Sequence, residues 1–453
     1  MSRTLDSHAD PIAAPATPPG RGAVAVVRVS GSDLKPLAFE LIGKRSLKPR
    51  YAHYVAFLGE DGIAIDRGLL LYFPAPRSYT GEDMLELHCH GSPVVVEALL
   101  KRLFQLGVRP AQPGEFSRRA FLNGKLDLAQ AEAVAALIES TSEAAARAAQ
   151  RSLEGAFSKE VQRLSEALTQ LRVYMEASID FADEDIDLLA EGEVLLRLQH
   201  LLEDLSILRR RAHQGRLLRE GMTAVIAGPP NVGKSSLLNR LAEREAAIVT
   251  DIAGTTRDLL TEHLDLDGMP LNVIDTAGLR EGGDPIEREG MRRAIKAMHG
   301  ADRILLVLDC REPEAGESLL AQLPVGIPVT RIYNKIDLID RPPALTETAT
   351  FAGVYLSAKT GAGIELLKCH LKRSLGFEAE AEDALAARRR HLEALAQTQD
   401  FLHKALEELH SIQAAELVAE NLRLAQRALA EITGEVTSDD LLGRIFAEFC
   451  IGK

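Results

Sequence analysis

The stretch GPPNVGKSS, Gly228 to Ser236, constrains the fold of this 453-residue chain more than any other. It follows the apolar run TAVIA and opens the helical run SSLLNRLAE. That is the pattern G-x-x-x-x-G-K-[ST] in the strand–loop–helix setting it requires. The glycines let backbone N–H groups turn toward phosphate oxygens, and the helix N-terminus adds partial positive charge. Lys234 is then spaced to reach β and γ phosphates, and Ser235 to bind Mg²⁺. Four more apolar runs, PLNVIDTAG, RILLVLD, VTRIYNK and GVYLSAK, alternate with helical segments over residues 218–376. This alternation predicts an α/β unit with a mostly parallel sheet covered by helices on both faces.

The base is legible too. NKID, Asn334 to Asp337, ends one of those strands. A carboxylate only accepts hydrogen bonds. Guanine offers Asp337 two donors, where adenine has a ring acceptor and no 2-amino group. Asn334 is expected to donate to N7, and SAK (Ser357, Ala358, Lys359) to bring the Ala358 N–H to the guanine oxygen. The ligand expected is GTP. DTAG places Asp275 near the metal through water, followed by Thr276, Ala277 and Gly278, whose N–H would face the γ phosphate. The loop TDIAGTTRD supplies Thr250, Asp251, Ile252, Ala253, Gly254, Thr255 and Thr256, with Thr256 as second Mg²⁺ ligand. Asn231, Val232, Gly233, Lys234, Ser235, Ser236 and Lys335 complete the expected GTP-contacting set. Where Ras-like enzymes carry a water-orienting Gln, this chain has Leu279, which cannot hydrogen-bond. Glu281, Glu287 and Glu289 follow; on the residues alone each is a solvated charge or a helper, and nothing chooses among them.

Two helical textures flank the α/β unit. In the first, Val161, Leu164, Leu168, Leu171 and Met175 recur at steps of three and four, as do Leu195, Leu198, Leu202 and Leu205. After residue 377, Leu392, Leu395, Leu402, Leu406 and Leu409 form one stripe, and Val418, Leu422, Ala425, Leu429 and Ile432 another. Apolar faces of this kind need partners; the economical solution is one bundle with the α/β domain inserted in it. Residues 20–124 read as α+β, with strands at GAVAVVRVSG, RGLLLYFPAP and MLELHCHG and one firm helix, PVVVEALLKRLFQLG. The first twenty residues read as a disordered leader rather than a secretion or mitochondrial signal. Four unpaired cysteines suit a reducing compartment. The terminal EFCIGK resembles a prenylation box, but its last residue, Lys453, and its acidic surroundings argue against a lipid anchor. In HCH, His88 and His90 share one strand face and Cys89 the other, and no further cluster is spaced for zinc. With a net charge of −13, nucleic acid could be gripped only through a local patch such as RRR at 388–390, or through a partner.

At this point the chain resembles the MnmE (TrmE) family of tRNA modification GTPases over almost its whole length. The resemblance rests on PPGRGAVAVVRVSG, SYTGEDMLELHCHG, PGEFSRRAFLNGKLDLAQAEA, GPPNVGKSSLLN, AAIVTDIAGTTRD, IDTAGLRE, SDDLLGRIF and FCIGK. It implies an N-terminal tetrahydrofolate-binding and dimerisation domain at 1–124, a discontinuous helical domain at 125–217 and 378–453, and an inserted G domain at 218–377. It implies that G domains dimerise across the nucleotide around K⁺, held by Asn231, Thr250, Ile252 and Thr255, and that Glu287 orients the attacking water. It implies a folate carrier (5,10-methylene or 5-formyl form) bound by Arg28, Glu86, Lys125 and Lys453, with Cys450 near the reacting carbon. The implied activity is modification of C5 of the wobble uridine (U34) of certain tRNAs, adding a carboxymethylaminomethyl or aminomethyl group. A homodimer would act in the cytoplasm as a heterotetramer with an FAD-dependent MnmG (GidA)-type partner, without a membrane. One departure is Gly91-Ser92, where the family usually has Gly-Gly. The rivals are a regulatory or ribosome-assembly GTPase, which has no reason to hold folate, and a stand-alone folate methyltransferase, which the complete guanine site disfavours.

Overall fold

The computed structural model describes residues 10–44, 46–140, 142–180, 191–242, 261–266, 269–275, 301–320, 323–324, 326–348, 351–377, 383–409, 415–435, 439–447, 449 and 452. Two compact units are present: Met1–Ala135, Leu153–Val194 and Asp400–Lys453 form one, and Ala136–Ser152 with Leu195–Gln399 the other.

The first unit is built on β1 (Ile12–Pro15), β2 (Gly22–Gly31), β3 (His53–Leu58), β4 (Ala64–Phe73), β5 (Asp83–Gly91) and β6 (Arg109–Pro110), in the order β3-β4-β5-β2-β1-β6. Only β1–β6 pairs in parallel. Period-2 alternation in β2 sends Ala25, Val27 and Val29 to a core closed by α1 (Lys35–Ile42) and α2 (Pro93–Gln105). The opposite face carries Arg28. The leader expectation is corrected in its second half: Ile12 to Pro15 form an interior strand, and Ile12 is fully buried; residues 1–9 lie outside the described residues. Two further helices were not anticipated, α1 and α3 (Glu115–Leu122).

The same unit holds α4 (Leu128–Ile138, up to Ala135), α6 (Ala156–Asp180), α12 (Ala415–Thr433) and α13 (Asp439–Ala447); between α4 and α6 comes α5 (Glu143–Leu153). The anticipated stripe of α6, Val161 to Met175, is buried, as is that of α12, Val418 to Ile432. Each fully buried side chain of this size stabilises by about 1.5–3 kcal/mol. Arg172 of α6 donates to Gln426 of α12 at 2.8 Å, and Gln426 donates to Thr169 at 2.8 Å, so the two helices pack face to face. Leu442, Ile445 and Phe446 of α13, with Phe449, close on Leu128 and Ala131 of α4.

The second unit carries β7 (Met222–Ala227), β8 (Thr261–Leu266), β9 (Met269–Asp275), β10 (Arg303–Asp309), β11 (Val329–Asn334), β12 (Ala344–Glu347) and β13 (Ala352–Tyr355), ordered β12-β13-β11-β10-β7-β9-β8. The five central strands are parallel, and the two unanticipated edge strands, β8 and β12, are antiparallel to their neighbours. One face packs on α8 (Lys234–Ala242); α9 (Glu317–Leu320) lies on the other face, and α10 (Ile364–Ser374) joins α8. The unit also includes α7 (Glu191–Glu220) from Leu195 and α11 (Arg389–Leu409) up to Gln399. The buried stripe of α7 is Val194, Leu198, Leu201, Leu205 and Leu208, so the anticipated Leu195 and Leu202 lie half-buried beside it. In α11 the anticipated Leu395 and Leu402 are buried, while Leu392, Leu406 and Leu409 are half-buried. Among the described residues no helix is long and apolar enough to cross a membrane.

Candidate functional site

In an open parallel sheet, ligands bind outside the carboxyl ends of the strands. Here β7 ends at Ala227, β9 at Asp275, β10 at Asp309 and β11 at Asn334, all at one edge of the sheet. The loop Gly228–Gly233 leaves β7 at that edge and opens α8. Gly233 has φ +99, and a Cβ there would lie 2.4 Å from Asn334 Nδ2. Only glycine lets the phosphate loop approach the base loop so closely. Asn231 adopts φ 61, a left-handed geometry that Asn tolerates better than most residues, and it is exposed. Lys234 Nζ donates to the Gly228 and Pro229 carbonyls at 2.7 and 2.8 Å, which holds the ammonium over the loop. Ser235 and Ser236 are exposed in the first turn of α8, and Val232 is buried.

Asn334, 3% exposed, clips two loops together. Its Nδ2 donates to the Val232 carbonyl at 2.8 Å, and its Oδ1 accepts from the Ala358 N–H at 2.9 Å. The two groups expected to address guanine are thus hydrogen-bonded to the protein itself; the second amide N–H of Asn334 remains for a base. Ser357 is buried, and its Oγ accepts from Thr360 N–H at 3.2 Å, which shapes the turn. Asp337 and Lys359 are exposed.

Three residues not singled out from the sequence organise this edge. Asp309, the last residue of β10, accepts from Lys335 Nζ at 2.9 Å and from Arg311 Nη2 at 2.7 Å. The Arg311 guanidinium, then Lys335, holds the Asp309 carboxyl well below the usual carboxylate range. Lys335 also donates to the Asn231 carbonyl at 2.7 Å, tying base loop to phosphate loop. Arg240 of α8 donates to the Ala358 and Lys359 carbonyls at 3.2 and 2.7 Å. The signal for Asp309 was a charge ending the apolar run ILLVL; Arg240 had none. Asp275 closes β9 opposite Ile226. Thr250, Asp251, Ile252, Ala253, Gly254, Thr255, Thr256, Thr276, Ala277, Gly278, Leu279, Glu281, Glu287 and Glu289 lie outside the described residues.

The other unit brings together a second set. Arg28 of β2 and Glu86 of β5 are register partners, with Nη2 and Nε 2.9 and 3.1 Å from Glu86 Oε1. The guanidinium stands 5.6 Å from the Tyr79 ring. Burial pushes the Tyr79 phenol up, and its hydroxyl is hydrogen-bonded to Ser117 at 2.8 Å. His88 Nε2 is buried without a hydrogen-bond partner, 3.6 Å from Glu86 Oε2, beyond hydrogen-bond reach. An orphaned buried nitrogen beside a half-buried carboxylate suits a polar ligand that supplies both donors and acceptors. Lys125 is exposed, and a Cβ on Gly81 would lie 3.3 Å from its Cγ. Behind this face, Arg119, 2% exposed, donates to Glu82 at 2.9 Å and Glu115 at 3.1 Å, while Ser30 donates to Glu82 at 2.8 Å. This network fixes the 79–82 turn, and nothing local in the sequence signalled it. Gly452, at φ +95, is buried where a Cβ would lie 2.0 Å from the Pro15 carbonyl. Pro15 pairs with Val27, one residue from Arg28. Cys450 and Lys453 lie outside the described residues. His90 Nδ1 is 2.8 Å from Asp66 Oδ1, and Cys89 is buried on the opposite face.

Comparisons with known proteins identify the family. Residues 11–125 match the family described as GTP-binding protein TrmE N-terminus, and residues 128–450 match the MnmE helical domain. A tRNA modification GTPase MnmE of Methylococcus capsulatus is 56% identical over 444 residues, covering 98% of this chain and 99% of that protein. Among solved structures, the G domain of the T. maritima FeoB iron transporter is 26% identical over 34% of this chain and 97% of its own, with a TM-score of 0.26. Aquifex aeolicus Era bound to GDP·AlF4⁻ is 28% identical over 40% of this chain and 66% of its own, also at 0.26. Both TM-scores are low, and the family rests on the sequence matches.

Proposed function

The chain belongs to the MnmE (TrmE) family of tRNA modification GTPases, and from that premise we propose a potassium-activated, folate-using enzyme of wobble-uridine modification. It would act as a cytoplasmic homodimer that joins an MnmG-type flavoprotein as a heterotetramer, on C5 of U34. The proposed organisation is a folate and dimerisation domain at 1–124, helices at 125–217 and 378–453, and the G domain at 218–377. The observation that carries the reading is the Arg28–Glu86 pair facing an orphaned His88 nitrogen, a polar cradle that a plain regulatory GTPase does not need.

The proposed roles are these. Lys234, already suspended over the phosphate loop, meets the β and γ phosphates, and Ser235 at the start of α8 faces Mg²⁺, with Thr256 as second ligand. Asp337 accepts from the guanine edge. Asn231 is exposed at a left-handed loop position, where its side-chain oxygen, with oxygens of Thr250, Ile252 and Thr255, can hold K⁺. A monovalent cation there neutralises charge building between the β and γ phosphates. Glu287 positions the water. In the other unit, Glu86 accepts from a pterin edge, and Arg28, Lys125 and Lys453 hold anionic groups of the carrier. Tetrahydrofolate supplies the one-carbon unit; the packing of Gly452 on Pro15 supports a tail, with Cys450, directed to that site.

Titration of 5-formyltetrahydrofolate into the purified protein tests this. Glu86→Gln removes charge-assisted acceptors and is expected to raise the Kd about 10–100-fold. Absence of binding to the parent protein would favour the regulatory GTPase instead. For the cation, replacing K⁺ by Na⁺ at constant ionic strength is expected to slow GTP turnover by about 10-fold or more, and Asn231→Ala to erase the difference. Equal rates in both salts would remove potassium from the account.

A further inference from the structure

Between α7 and α11 lies a cleft of about 370 Å³ lined by Ser206, Arg209, Arg210, His213, Leu392 and Gln399. The four residues from α7 stand at i, i+3, i+4 and i+7, one face of the helix. Arg209 Nη1 donates to Gln399 Oε1 at 2.5 Å, which ties the two walls together. Arg389 lies one turn before Leu392 on α11 and is 85% exposed along its side chain.

The charges here differ from those of several other helix-borne arginines. Arg147, Arg163, Arg172, Arg216 and Arg423 each have a glutamate three or four residues away within ion-pair distance. Around Arg209 and Arg210 those positions are Leu205, Ser206, Ile207, Ala212, His213 and Gln214, none acidic. Neither arginine has a carboxylate partner among the described residues, and both are exposed. Arg389 meets Glu393 at 2.9 Å, but a solvent-exposed pair of this kind contributes little. His213 Nε2 donates to the Leu375 carbonyl at 3.2 Å, and burial pushes its pKa down, so the ring stays neutral and its one N–H is used within the protein. Arg209 and Arg210 thus make a local positive patch on a chain of net charge −13, and such a patch attracts anions.

Resting on the reading of this chain as a tRNA-modifying enzyme, we infer that this cleft docks the RNA phosphate backbone through Arg209, Arg210 and Arg389. An acidic protein would be the other polyanion, but five of the six lining residues are polar or charged, and protein interfaces rely on aromatic and apolar anchors at their centre. Arginine with Ser and Gln donors is the composition of phosphate contacts. Such contacts position the RNA without reading its sequence, which leaves the choice of tRNA to other surfaces.

The test is binding of total tRNA to the full-length protein over a series of KCl concentrations, comparing the parent, Arg210→Gln, and the triple variant Arg209→Gln/Arg210→Gln/Arg389→Gln. The triple variant is expected to bind about 10-fold or more weakly near 0.1 M salt, and the slope of log K against log salt to fall by about 2. GTP turnover and folate binding should stay at parent values. Arg210→Gln alone should lower the slope by about 0.7; because Arg210 carries no ion pair among the described residues, it decides the matter if the triple variant folds poorly. Parental affinity and slope in the variants, or a parent protein that binds no tRNA, would overturn the proposal. So would a triple variant that keeps tRNA and loses the flavoprotein partner. A parent that binds tRNA but no folate leaves this inference standing while the folate reading falls.

Discussion

Lys234→Ala is expected to lower kcat/KM for GTP by about 10²–10³-fold, the loss that follows from removing one preorganised electrophile from developing charge. Its ammonium spans the carbonyls of Gly228 and Pro229, so the side chain is already held where phosphate oxygens would meet it, and little ordering entropy remains to be lost on binding. The fold should survive, because the residue opens α8 at a half-exposed position where alanine is a good helix former. Steady-state GTP hydrolysis in potassium buffer, with circular dichroism as a control for folding, measures the effect. Parental turnover in this variant would mean that Gly228–Ser236 is not the hydrolytic site.

Asp337→Asn should change which base is accepted while leaving phosphate chemistry intact. The carboxylate offers two acceptors to the two donors on the guanine edge. Asparagine keeps one acceptor and turns a donor toward a donor. Two lost charge-assisted hydrogen bonds, at about 1.5–3 kcal/mol each, weaken GTP binding by about 10²–10⁴-fold. Xanthosine triphosphate carries an oxygen in place of the 2-amino group, so it should gain affinity, and its hydrolysis at saturation should match that of GTP on the parent. Asp337 is exposed in the short turn Ile336–Leu338, so stability should change by no more than about 0.5 kcal/mol. Competition between GTP and xanthosine triphosphate decides it; unchanged discrimination would place the base elsewhere.

How much of this was legible in the sequence depended on range. Runs such as RILLVLD and VTRIYNK announced central parallel strands because burial on both faces demands continuous apolar residues. The edge strands were hidden. TEHLDL alternates acids with leucine, and ALTE is four residues long. β1 was hidden by its prolines and alanines: IAAP reads as leader, yet Ile12 and Ala13 are buried because β2 and β6 flank it. α3 was hidden because EFSRRAFL looks solvated, and its arginine is buried only by pairing with Glu82 and Glu115. In α7, adjacent leucines allow two stripes one residue apart, and packing chose Val194–Leu198–Leu201 over Leu195–Leu202. The same division holds at the nucleotide site. Motif residues were readable from local spacing, whereas the contacts of Arg240 with Ala358, of Asn334 with Val232 and of Lys335 with Asn231 join segments more than a hundred residues apart, and no local pattern encodes them.

The proposed function requires nucleotide turnover at one site to drive folate-carried chemistry on tRNA at the other. Its most direct measurement is mass analysis of wobble uridines from cells whose only copy of this chain carries Lys234→Ala. The C5-modified nucleoside is expected to disappear while the variant protein still binds 5-formyltetrahydrofolate with parental affinity. A normal complement of modified uridine in those cells would contradict it.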